Sequence, residues 1–103
     1  MKPFKVSVAV RHKLLHKHGV TMDEVSECFI NRIGGFYEDD RLDPQTDPPT
    51  MWFVAETDRQ RALKVVFCDY PDFYAIKSAF DATDKWRKVY EELCEKHSTN
   101  RSQ

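Results

Sequence analysis

The sequence predicts an α+β fold: an antiparallel β-meander of three to four strands packed against two N-terminal helices and one C-terminal helix. Three observations predict it. Between Thr50 and Phe80, three runs rich in β-branched and aromatic residues are separated by breaks at Arg59-Gln60-Arg61 and Asp69-Tyr70-Pro71-Asp72. Upstream, Thr21-Met22-Asp23-Glu24 has the spacing of a capping box. Downstream, Trp86, Val89, Tyr90, Leu93, Cys94 and His97 recur at i, i+3, i+4 and i+7, the stripe of an amphipathic helix.

In chain order, Phe4 to Val6 can form a short edge strand. A first helix is expected from Val8, with Ser7 as its N-cap, ending at Gly19. Lys17 and His18 lie in its last turn, where cations suit the helix dipole. The capping box opens a second helix from Met22 to about Asn31, stopped by Gly34-Gly35, and Val20 can staple back onto it. Phe36-Tyr37 can form a short strand.

Residues 38–50 are polar and carry Asp43-Pro44 and Asp47-Pro48-Pro49, which break regular structure, so an exposed loop is expected. The acidic run Glu38-Asp39-Asp40 with Asp43 lacks the spacing of a calcium or magnesium loop and reads as solvated. In the first long hairpin, a loop centred on Arg59-Gln60 would pair Val54 with Val65 and Trp52 with Phe67. One face would then hold Trp52, Val54, Leu63, Val65 and Phe67. The other would hold Phe53, Ala55, Ala62, Lys64, Val66 and Cys68, with Lys64 marking it as the face that meets water or a ligand. Lys77 repeats the feature on the third long strand, whose register the sequence leaves open. Thr83 or Asp84 should cap the last helix, which is expected to run to about His97.

The chain has 103 residues and a formal net charge of −1. That suits one domain, residues 1–97, with 98–103 as a flexible polar tail. Any basic surface must be local rather than global. No apolar run approaches membrane-spanning length and the N-terminus has no signal-peptide pattern, so a cytoplasmic protein is expected. Cys28, Cys68 and Cys94 are odd in number and widely spaced, which favours reduced thiols over disulfides or a zinc site.

Four short pieces carry a family resemblance: Lys17-His18-Gly19-Val20, the hairpin Thr57 to Phe67, the strand end Ile76-Lys77-Ser78-Ala79-Phe80-Asp81-Ala82-Thr83, and Tyr90-Glu91-Glu92. In this order and spacing the chain resembles the BrnT family of bacterial type II toxins, over roughly Lys17 to Glu92. The resemblance implies a RelE-like fold and a metal-independent ribonuclease, with no cofactor. It implies RNA as substrate and an antitoxin protein as partner. An apolar surface left bare without the antitoxin could support a homodimer.

Cleavage without metal requires a base for the 2′-hydroxyl, an acid for the leaving 5′-oxygen, and cations for the developing charge. On that reading His18, Lys64, Lys77 and Tyr90 are the catalytic candidates, and Lys17, Arg59 and Arg61 the RNA-binding ones. Each has a plainer reading. His18 can simply end a helix, Lys64 and Lys77 can snorkel, Tyr90 can be a core tyrosine, and the arginines can belong to a solvated turn. Phe80-Asp81 stands where the family carries basic residues. An alternative follows: a non-catalytic RNA- or protein-binding module on the same fold. A third reading is an enzyme acting on a small phosphorylated or nucleotide substrate.

Overall fold

The computed structural model describes residues 1–39 and 48–101, with the side chains of 97–101 excepted. The architecture is α+β. Helices α1 (Val8–His18), α2 (Met22–Asn31) and α3 (Asp84–Arg101) enclose strands β1 (Phe4–Lys5), β2 (Tyr37–Glu38), β3 (Thr50–Glu56), β4 (Ala62–Asp69) and β5 (Tyr74–Asp81). They form one five-stranded sheet of order β1-β5-β4-β3-β2. All pairings are antiparallel except β1 with β5. The expected meander is its centre, and the two short strands extend it at either edge.

Local chemistry sets the helix ends. The Ser7 hydroxyl accepts from the Val10 amide, and Gly19 takes the left-handed conformation (φ 63°) that closes α1. Thr21 and Glu24 form the reciprocal capping box that opens α2. Helix α3 continues to Arg101, beyond the expected end near His97, because no glycine or proline interrupts it.

The hairpin register differs from the expectation by one residue. Val54 pairs with Lys64 and Trp52 with Val66. The cause is the turn. Asp58, Arg59 and Gln60 form a three-residue loop in which Gln60 is left-handed (φ 66°), closed by the Thr57 amide on the Arg61 carbonyl. A one-residue shift sends every β4 side chain to the opposite face. Phe53, Leu63, Val65 and Phe67 therefore share one face, and Trp52, Val54, Lys64 and Val66 the other. The third long strand pairs Val65 with Ala79 and Val66 with Ser78. It then bulges so that Phe67 meets Ile76, and Lys77 falls at the irregularity.

Helices α1 and α2 cover the first face. Phe29 of α2 is the hub there, its ring centroid 4.8 Å from that of Phe53, 5.2 Å from Phe67 and 4.7 Å from Tyr74. Helix α3 covers part of the second face through Trp86 and Tyr90, both against Trp52. Gly34 lets the chain pass beneath α3, since a Cβ there would come 2.7 Å from the Tyr90 hydroxyl oxygen. The three cysteines are free thiols. Burial pushes Cys28 up to about 12, so it stays a neutral thiol. Among the described residues, no helix is long and apolar enough to cross a membrane.

Candidate nucleic-acid interface

The candidate residues do not converge on one surface. Lys64 is fully buried (0% exposed), which overturns the expectation that it meets water or a ligand. Its ammonium lies 3.5 Å from the Trp86 ring centroid, 5.0 Å from that of Trp52 and 5.9 Å from that of Phe80. A carboxylate oxygen of Asp39, itself buried, stands 3.9 Å away. The ring contacts and the carboxylate together offset the desolvation of this cation. Asp39 is thereby also a correction to the solvated reading of the acidic run. Asp40 and Asp43 lie outside the described residues.

Tyr90, on the inner side of α3, is buried, and its hydroxyl donates to the Gly35 carbonyl at 2.8 Å. Burial pushes its phenol above the ordinary value, so its proton is held for structure. The plainer reading of Tyr90 as a core tyrosine is the one its surroundings match.

Arg61 is engaged internally rather than presented to solvent at the hairpin tip. Its Nε donates to Asp81 at 2.7 Å and Nη1 to Glu24 at 3.1 Å. Nη1 also donates to the Gly19 carbonyl at 2.8 Å, and Nη2 to the His18 carbonyl at 2.9 Å. The guanidinium thus caps the negative end of α1 and ties it to α2 and β5. Its hydrogen bond holds the Asp81 carboxyl below the ordinary range. Asp81 thus serves as the partner of Arg61. Arg59 remains exposed at the tip.

His18 is half-buried at the end of α1, its ring 5.7 Å from that of Phe80. Burial, then the charges of Lys17 and Lys13, hold its imidazole below the ordinary value, with Asp81 acting the other way. A neutral imidazole at pH 7 can accept a proton.

The exposed cations gather elsewhere. Helix α1 contains no acidic residue, and Arg11, His12, Lys13, His16 and Lys17 are all exposed on it. Leu14 is its one fully buried side chain, and Val10 packs partly against the core. Helix α1 and strand β5 are neighbours, and β1 covers β5 only at Tyr74 and Ala75. Beyond that pair, a cleft of 490 Å³ opens between the β1–α1 connection and β5, lined by Lys5, Ser7, Arg11 and Lys77 among others, with no acidic residue in its wall. Of the seven residues singled out from the sequence, Lys77 lines this cleft and Lys17 is exposed on α1. Lys5 and Arg11 were missed, because their proximity to Lys77 depends on the parallel pairing of the N-terminus with β5, which no local pattern announces.

A second cleft, of 620 Å³, lies below α3 and is lined by Val54, Ala55, Glu56, Asp58, Ile33 and Glu91 among others. Ile33 at its rim and Ile30 nearby on α2 are 96% and 68% exposed. Among the described residues, no group of three or more His, Cys, Asp or Glu side chains could hold a metal ion. No protein-family model matches the chain, and no curated protein matches it either.

Proposed function

We propose that this chain is a cytoplasmic, BrnT-like protein that binds RNA, with phosphate contacts from Lys5, Arg11 and Lys77 around the α1–β5 cleft and from Lys13 and Lys17 along α1. The observation that carries this reading is the concentration of exposed cations on an acid-free helix beside an acid-free cleft, in a chain of net charge −1. A partner protein in the manner of an antitoxin is supported by the bare isoleucines Ile30 and Ile33.

Fluorescence anisotropy with labelled decauridylate tests the reading. Affinity should fall with salt, and five neutralised phosphates would give a log–log slope of about −3.5. Arg11→Ala with Lys77→Ala should weaken binding about tenfold and flatten that slope. Undetectable binding at 50 mM salt would remove the proposal.

Metal-free cleavage is a second reading, favoured by one observation: a half-buried His18 held toward its neutral form beside Lys17 and Lys13. Incubating the protein with RNA in EDTA and assaying for 2′,3′-cyclic phosphate ends tests it. Cleavage should disappear in His18→Gln. Intact RNA with the wild type leaves a binding protein only.

A further inference from the structure

The β4–β5 turn carries an aromatic column that the cleft and α1 do not use. Tyr70 and Phe73 flank Pro71-Asp72, and their rings stack with centroids 4.7 Å apart at 18°. The turn is pinned by the Tyr70 amide donating to the Phe73 carbonyl at 3.0 Å. The Lys5 ammonium lies 4.2 Å from the Phe73 centroid. Cation and rings therefore form a run, Lys5–Phe73–Tyr70. Both aromatics are only half-buried, although a ring of this size would gain by full burial. Lys5 also lines the α1–β5 cleft, so column and cleft are continuous. The turn's acids oppose an anion only in part, because the Lys2 ammonium pairs with Asp69, leaving Asp72 exposed.

We propose that this column is a base-stacking subsite for single-stranded RNA: an unpaired base lies on the outer face of Tyr70 while the adjoining phosphates run past Lys5 into the cleft toward Arg11 and Lys77. The assignment rests on the RNA-binding reading and adds the form of the ligand. A duplex keeps its bases stacked on one another and cannot offer a π-face to Tyr70. A single strand can, and stacking tolerates any base. The Lys5 cation below Phe73 polarises the column.

The experiment compares three labelled probes on the full chain: decauridylate, a ten-unit abasic RNA strand, and a ten-base-pair RNA duplex. Decauridylate should bind about tenfold tighter than the abasic strand and tighter than the duplex. Tyr70→Ala should reduce decauridylate to the abasic level while leaving abasic binding unchanged, and Tyr70→Phe should retain wild-type affinity. Unchanged abasic binding and circular dichroism in Tyr70→Ala establish that the variant is folded. Tyr70→Leu, which keeps apolar bulk without a π-face, should behave as Tyr70→Ala even if the alanine variant unfolds. Wild-type affinity in Tyr70→Leu, equal binding of decauridylate and abasic strand, or equal binding of duplex, overturns the subsite and leaves RNA binding standing. Failure of all three probes on the wild type instead removes RNA binding itself.

Discussion

The two faces of the sheet are covered by different physics. On the first, α2 lays Phe29 among Phe53, Phe67 and Tyr74, an apolar cluster in which every contact is interchangeable with another of similar size. On the second, α3 closes over a charge: Lys64 among Trp86, Trp52 and Phe80, with Asp39 beside it. An apolar cluster tolerates a change of shape at a cost set by the volume lost. A buried cation is held by a few specific partners, and removing one leaves another uncompensated. The first face is therefore robust and graded, and the second is sharp.

The largest expected effects break each face in turn. Phe29→Ala should lower unfolding stability by about 3–5 kcal/mol, read from urea denaturation, by removing the hub ring and leaving a cavity. Lys64→Ala should cost about 3–5 kcal/mol, because it breaks a buried ion pair and empties the space between the Trp52 and Trp86 rings. The two faces then part company on repair. Lys64→Met combined with Asp39→Leu should recover most of that loss, since apolar groups can replace a buried ion pair. If the double variant is as unstable as Lys64→Ala, the charge pair does not govern the α3 face. A smaller loss, about 1 kcal/mol, is expected for Arg61→Gln, whose partners Asp81 and Glu24 are partly solvated. It should appear as a lower urea midpoint at an unchanged slope.

Gln60→Gly should raise stability by about 0.5–1 kcal/mol, since glycine adopts the left-handed conformation without the Cβ penalty. The smallest effect concerns pH. The folded-state value of His18 lies below its unfolded one, so the unfolded chain binds the proton first as pH falls. Its contribution is complete above the ordinary value of 6.5 and is lost as pH drops through the folded value. His18→Gln should flatten the decline in stability across that window, measured as urea midpoints from pH 7.5 to 5.

Most of the fold was legible because it is written locally. Ser7, Gly19 and the Thr21–Glu24 box set helix ends within a turn of themselves, and the apolar runs of the meander announce strands wherever they pair. The faces were misread for one reason. A two-residue loop at Arg59-Gln60 and a three-residue loop through Gln60 differ by one residue, and the glycine that usually marks the left-handed position is absent. That slip put Lys64 on a face with Phe53 and made it look like a working residue. The candidate site was less legible still. A lysine in mid-strand reads as exposed when no other element is known to cover it, and only the position of α3 decides. Lys5 and Arg11 carry no motif, and their neighbourhood arises from a contact between the chain's beginning and β5.

That contact also orders events in time. Phe4 pairs with Tyr74 and Lys5 with Ala75, so the N-terminal strand has no place in the sheet until nearly the whole β-region has been synthesised. Helices α1 and α2 can form earlier from their own caps. The α1–β5 cleft cannot, because Lys5 and Lys77 come together in its lining only after the chain's beginning has reached β5. A nascent chain would therefore carry the cations of α1 long before they stood beside a finished cleft, and the last strand of the sheet to be made is also the one that fixes where the chain's beginning lies.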